Sequence, residues 1–154
     1  MNDEPQMRTN ASHDKFWKFN GQLHRIGAPA LECACGDKEW WVHGHLHRED
    51  GPAIEYASGS KSWYENGHLH RIGAPAIECI NGTKVWCMHG KTHRINGAAV
   101  ERADGSKEWW IDDKFYGNIN AWAIDALRYE GKEPTQFAVE QKIAQVMYND
   151  VMQM

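Results

Sequence analysis

The sequence predicts an all-β repeat meander of antiparallel hairpins, with a 23-residue period and a C-terminal α-helical cap. Three observations carry this. His-Arg recurs at 24/25, 47/48, 70/71 and 93/94, each step 23 residues long without slippage. Trp17, Trp40, Trp63, Trp86 and Trp109 keep the same phase, as do Gly21, Gly44, Gly67 and Gly90. After Trp110 the pattern stops, and apolar residues move to helical spacing. A fixed period of roughly 20–50 residues marks a repeat architecture whose units touch mainly their neighbours.

Three segments follow from this: residues 1–15 as a loose polar arm, 16–117 as the hairpin repeats, and 118–154 as the helical cap. Within a repeat, Pro52–Tyr56 reads as a strand, Ala57-Ser58-Gly59-Ser60 as a turn, and Lys61–Tyr64 as the return strand. Gly59 supplies the positive φ of a tight turn. A turn over residues 57–60 sets Ile54 across from Trp63. The same register gives Leu31–Trp40, Ile77–Trp86 and Val100–Trp109, aliphatic–aromatic pairs suited to a core. The longer connection opens with Asn66-Gly67, a turn signal. Pro29, Pro52 and Pro75 mark the start of the next strand, because proline cannot donate to the ladder. Asp113 stands where the turn glycine had been, and no His-Arg follows it.

In the last segment Ile119, Ala123 and Leu127 share one helical face. Gly131-Lys132-Glu133-Pro134 breaks the run, and Thr135 is placed to cap a second helix. Val139, Ile143, Met147 and Val151 then form a stripe at four-residue spacing. Such a pair of helices is expected to cover an end or a face of the sheet.

The chain of 154 residues has a formal charge of −4, and residues 17–110 carry 11 basic and 11 acidic side chains. That balance excludes a general nucleic-acid binder, which needs a basic surface. No apolar run approaches the roughly 18 residues of a membrane span. The polar start, Met1-Asn2-Asp3-Glu4-Pro5, does not read as a secretory leader. A cytoplasmic protein with free thiols at Cys33, Cys35, Cys79 and Cys87 is therefore expected.

The unit core, Trp63-Tyr-Glu-Asn-Gly-His-Leu-His70, resembles MORN repeats, which are 23-residue β-hairpins with aromatic and Asn-Gly positions in this order. The resemblance covers about residues 17–112. It departs where a MORN unit has Gly after the His, since Arg25, Arg48, Arg71 and Arg94 stand there, followed by Gly-Pro-Ala or Ala-Pro-Ala in the first three units. That signature is similar to small repeat proteins of tailed bacteriophages. The resemblance implies a protein-binding scaffold that, if phage-encoded, acts in the host cytoplasm by binding and inhibiting a host defence protein or enzyme. It also leaves room for a lipid-surface module, although the acidic balance speaks against a membrane.

The candidate contact residues divide into two groups. Trp41, Tyr64, Cys87 and Trp110 follow the core Trp and, on regularly alternating strands, project from the opposite face. They are either covered by the helices or open to a partner, and Trp41, Tyr64 and Trp110 have interface hot-spot chemistry. Arg25, Arg48, Arg71 and Arg94, with His47 and His70, rim that face. The Arg column matches Glu32, Glu55, Glu78 and Glu101 in phase, so the plainer reading is a charge ladder. The other is a guanidinium row for an acidic protein surface, or for a small anionic ligand such as a nucleotide. Equivalent histidines lie about 9–10 Å apart, two strands on, too far to share one ion. A metal site would need two from one connection, such as His45 with His47 or His68 with His70. Each His is expected instead to bond a backbone carbonyl or a carboxylate. No metal, no cofactor and no catalytic residue is expected: Gly-x-Ser-x-Gly, a Walker-type loop and His-Glu-x-x-His are all missing. A homodimer through an open first edge near Phe16 remains an expectation.

Overall fold

A computed structural model describes residues 4–152. Twelve short strands form one antiparallel sheet that follows the chain order, with the C-terminal helix pair at its far end. This is the hairpin meander with a helical cap that the period predicts. The first strands are β1 (Gln6–Thr9) and β2 (Lys15–Phe19), paired antiparallel. Residues 6–9 were expected in the loose arm; they are the edge strand instead, because Asn10 bonds the N–H groups of Ser12 and Asp14 and closes a tight turn back onto β2. The open edge is therefore β1, not the region of Phe16.

Each unit then contributes two hairpins. The first lies in the main sheet, as in Ile54–Glu55 with Lys61–Ser62. The second is a small satellite, as in Tyr64–Glu65 with His68–Leu69. The core Trp sits at the corner between them. Trp63 N–H donates to the Ala76 carbonyl of the next unit, and its own carbonyl accepts from His70 N–H.

The register differs from the expected one by a single residue. Ile54 faces Ser62, not Trp63, and Leu31, Ile77 and Val100 likewise face Glu39, Val85 and Glu108. The turn is the cause. Tyr56 N–H bonds the Ser60 carbonyl and Gly59 N–H bonds the Tyr56 carbonyl, leaving a three-residue loop that ends in Gly59 at φ 95°. This is a type I turn with a bulge glycine, and a one-residue change in loop length moves every cross-strand pair.

Two side-chain clamps join each unit to the next. Asp14, Asp37, Ser60 and Thr83 accept the turn N–H groups of Ala34, Ala57, Ile80 and Ala103 at 2.7–3.3 Å. His24, His47 and His70 do the same for His43, Asn66 and His89 through Nδ1 at 3.1–3.2 Å. Between the clamps Ala30, Ala53, Ala76 and Ala99 are fully buried. Across the strands, Lys15, Glu32, Lys38, Glu55, Lys61, Glu78, Lys84, Glu101 and Lys107 pair in register as one ladder of alternating charge. Asp113 takes over the glycine's role in the last turn at φ 64°, a conformation Asp tolerates better than most residues.

The helices are α1 (Ile119–Tyr129) and α2 (Gln136–Met152). Asn118 caps α1 by accepting Asn120 N–H, and Thr135 Oγ1 accepts Ala138 N–H at the start of α2. They seal the last unit: Trp122, Ala123, Ala126, Leu127, Val139 and Val146 form one core with Ile111 and Tyr116. The stripe on α2 is corrected at its end. Val139 and Ile143 face the core, and so does Val146, but Met147 and Val151 are exposed. Four residues turn a helix by about 400°, so a four-residue stripe drifts by about 40° per step and leaves the core after two. No helix among the described residues is long and apolar enough to cross a membrane.

Cys33 and Cys35 are joined by a disulfide, which corrects the expectation of four free thiols. The three-residue turn that Cys33 opens folds back on itself, and the two Cα atoms lie 5.1 Å apart. Cys79 and Cys87 are free.

Candidate functional site

The Arg column is built into the frame. Each guanidinium lies on the Trp eight residues before it: Arg25 on Trp17, Arg48 on Trp40, Arg71 on Trp63 and Arg94 on Trp86, at 3.7–4.0 Å to the ring centroid. Nη1 donates to the carbonyl of Pro29, Pro52, Pro75 or Ala98 at 2.8–3.3 Å. It also bonds Glu55, Glu78 or Glu101 at 2.7–2.9 Å, while Arg25 stands 3.9 Å from Glu32. The charge ladder of the sequence reading is therefore present, with an aromatic floor that the sequence did not reveal. With ring, carbonyl and carboxylate all engaged, the guanidiniums are held in place as structural groups.

Successive His-Arg loops enclose grooves on this side. The first, about 380 Å³, lies between Arg25, Ile26 and Gly27 on one wall and Trp40, Val42, His47 and Arg48 on the other, with Glu49 and Asp50 at the rim. The second, about 450 Å³, lies one unit on, lined by Arg48, Glu49, Trp63, Glu65, His70, Arg71 and Ile72, with His47 and Tyr64 at its margin. Both are shaped by conserved geometry of the unit and differ in the residues that alter from copy to copy.

Of the expected contact residues, His47, Arg25, Arg48, His70 and Arg71 come together here, and Tyr64 joins them. Arg94 belongs to the same column but lies under the helical end. Trp41 does not join them. It lines a separate shallow depression of about 500 Å³ with Phe16, Leu23 and Leu31, and its Nε1 donates to Glu39 at 2.7 Å. Trp110 is half-buried, bonds Glu108 through Nε1 at 3.0 Å and packs against Phe115. Cys87, in the same column, is buried. The helices do not cover this column along its length; they pack on Ile95, Trp109, Ile111 and Tyr116.

His24, His47 and His70 accept backbone N–H groups and do not donate to carbonyls as expected; carboxylates stand near three of the rings, Asp112 at 2.9 Å from His93, Glu65 at 3.5 Å from His70 and Glu49 at 4.0 Å from His47. This fixes their tautomer. Nδ1 of His70 must be bare to accept His89 N–H, so Nε2 keeps its proton and turns it toward Glu65, 3.5 Å away. Glu65, His70 and His89 lie within 4.8 Å of one another, a grouping that joins two units rather than one connection. An ion on His70 Nε2 would displace that proton to Nδ1 and break the clamp.

The residues that follow the Arg, where the sequence sets Glu49-Asp50 against Ile26-Gly27 and one repeat can differ from another in what it touches, stand open to solvent. Ile26 is 72 % exposed and Ile72 is 80 % exposed, and the Glu49 side chain is 93 % exposed. Their signal was available: position 26, 49, 72 and 95 varies inside an otherwise fixed unit. Compared with models of protein families and with curated proteins, the chain matches none.

Proposed function

We propose that this chain is a non-catalytic binding module that docks another protein along the grooves between its His-Arg loops. One observation carries this reading. The repeated residues Trp, Arg, His and Ala hold the frame, while the position after each of the first three Arg stands outside it and presents Ile26, Glu49 and Ile72 to solvent. A rigid row of like grooves with differing exposed residues is how solenoid repeats recognise extended partner surfaces. Exposed aliphatic side chains beside Tyr64 and aromatic-floored grooves supply the apolar centre that protein interfaces require. By its likeness to phage repeat proteins, we take the partner to be a host protein in the cytoplasm, whose activity is blocked by docking.

The test is capture from bacterial lysate by the tagged chain, compared with Ile26→Glu, Ile72→Glu, and Trp41→Ala with Tyr64→Ala. One protein retained in stoichiometric amount by the wild type, and lost with the Ile variants, supports the reading. A retained nucleotide with no protein would replace it with a small-ligand role. Loss with Trp41→Ala and Tyr64→Ala but not with the Ile variants, in a folded protein, would move the surface to the column of Trp41 and Tyr64.

A further inference from the structure

The four turns of the main sheet have one backbone form and one odd member. Each opens with a residue whose N–H bonds the carbonyl four residues on and whose own carbonyl accepts the glycine N–H, at 2.8–3.0 Å. Gly36, Gly59, Gly82 and Gly105 all sit at positive φ, from 84° to 100°. In the last three turns the residue before the glycine tightens the loop with an oxygen: Ser58, Asn81 and Asp104 accept the N–H of Ser60, Thr83 and Ser106 at 2.9–3.4 Å. The first turn has Cys35 at that position, with its sulfur bonded to Cys33.

The disulfide is not what holds this turn. The same turn stands without one in the other three units, and in the third of them Cys79 opens it as a free thiol. The first turn is also gripped from both sides, since Asp14 accepts Ala34 N–H at 2.8 Å and Asp37 accepts Ala57 N–H at 2.7 Å. A bond between residues two apart closes the shortest of loops, and so removes little chain entropy from the unfolded state. A disulfide without a structural task, set on a turn that keeps its shape when the bond opens, suits reversible exchange.

Its two sulfurs have different surroundings. Cys35 is exposed, with Ala34 and Gly36 exposed beside it, whereas Cys33 is half-buried. Cys33 Sγ accepts the Cys35 N–H at 3.2 Å, a contact that favours negative charge on that sulfur. Cys35 is therefore the accessible point of attack and Cys33 the better leaving thiolate. Neither cysteine lines the grooves between the His-Arg loops or the depression around Trp41. An open tip of this kind offers no recognition surface, and suits small thiols that react by collision.

We infer that Cys33–Cys35 is a thiol–disulfide exchange site for small cellular thiols. A thiolate attacks Cys35 Sγ; a new S–S bond forms, the bond to Cys33 breaks, and Cys33 leaves as a thiolate that takes a proton from water. A second thiolate attacks the small-molecule sulfur of this mixed disulfide and releases Cys35. Two thiols are oxidised to their disulfide, and the protein disulfide is reduced to two thiols. The reverse sequence closes it again. The site stands apart from the docking surface and does not depend on it.

The probe is glutathione. The full-length native chain is equilibrated at neutral pH in graded ratios of reduced to oxidised glutathione, quenched with acid and alkylated, and the peptide holding both cysteines is weighed by mass spectrometry. A passage from closed to doubly alkylated within that range is expected, with no shift in melting temperature between the two forms. In Cys33→Ser no neighbour can expel the adduct, so glutathione should accumulate on Cys35. Cys35→Ser, which gives the first turn the residue of the second, should carry less on the half-buried Cys33. A disulfide that opens only in denaturant, or a melting temperature that falls on reduction, overturns the inference and makes the bond structural. Two free thiols at every ratio overturn it as well. More adduct on Cys33 than on Cys35 in the paired variants overturns the assigned point of attack.

Discussion

His24 accepts the backbone N–H of His43 on Nδ1 at 3.1 Å, and the two imidazole rings lie 4.3 Å apart, centroid to centroid. A protonated ring has no lone pair for that N–H. Burial, and next the neighbouring His43, hold His24 below its ordinary value of 6.5. The folded chain thus prefers the neutral ring more than the unfolded chain does. Stability from this clamp is complete above about pH 6.5 and is lost as the pH falls through the lower, folded value.

The variant His24→Asn places a carboxamide oxygen near where Nδ1 stood and cannot titrate. Its melting temperature at pH 8 should match the wild type to within about 1 kcal/mol of stability. Between pH 7 and 5 it should lose less stability than the wild type. Parallel pH curves for the two proteins would show that this clamp does not sense acid.

Arg71 bonds three kinds of partner at once: the Trp63 ring at 3.7 Å, the Pro75 carbonyl at 3.1 Å and Glu78 at 2.7 Å. A lysine keeps the charge but has no planar fork to lie on the ring while bonding both oxygens. Arg71→Lys should therefore cost about 1–2 kcal/mol in urea unfolding, and Arg71→Ala about 2–3 kcal/mol. Equal stability of Arg71→Lys and the wild type would reduce the role of Arg71 to its charge.

Trp122 can be divided into its ring and its N–H. Its Nε1 donates to the Arg94 carbonyl at 3.1 Å. Trp122→Phe retains much of the packing but leaves that carbonyl without its donor, and should cost about 1–2 kcal/mol. Trp122→Ala also empties a fully buried site and should cost about 3–5 kcal/mol. Hydrogen exchange should show the loss concentrated in α1, α2 and the last unit, with units one to three nearly unchanged, because the core of the helices touches only that end.

Cys87 is buried, and burial, with the nearby Asp113 charge, pushes its thiol up to about 11. The thiolate is the reactive form, so Cys87 should resist iodoacetamide at pH 8 in the native protein and react once it is unfolded. Cys79, half-exposed, should be labelled first. Mass spectrometry of the peptides distinguishes the two, and equal native rates would place Cys87 at the surface.

Much of this fold was legible because repetition turns one unit's pattern into four consistent readings. The hairpins, the Asn-Gly turns, the break after Trp110 and the Thr135 cap all follow from local rules. The register did not, because Ala57-Ser58-Gly59-Ser60 accommodates loops of three or four residues, and only the Tyr56–Ser60 pairing decides between them. The site was less legible for a geometric reason. Trp63 and Arg71 are eight residues apart and share no helix or strand. They meet only because the satellite hairpin turns the chain back between them. The histidines misled in a similar way: their number suggested chemistry, whereas His24, His47 and His70 are acceptors that the next unit's turn requires. Ile26 and Ile72 were visible as variable positions, but that they stand clear of the frame is a fact of three dimensions.

The two clamps fall at equivalent positions from unit to unit, so the inner units are interchangeable parts between unlike end fittings. The edge strand β1 begins the sheet at one end and the helix pair seals the other, and neither depends on how many units lie between. Excising or duplicating one whole inner repeat of 23 residues would leave every junction of the same kind. The separation between the first groove and the helix-sealed end would change by a single step of about 9–10 Å, two strands wide. The chain is in this sense a gauge: its reach is quantised, and one duplication or deletion resets it without redesigning a single contact.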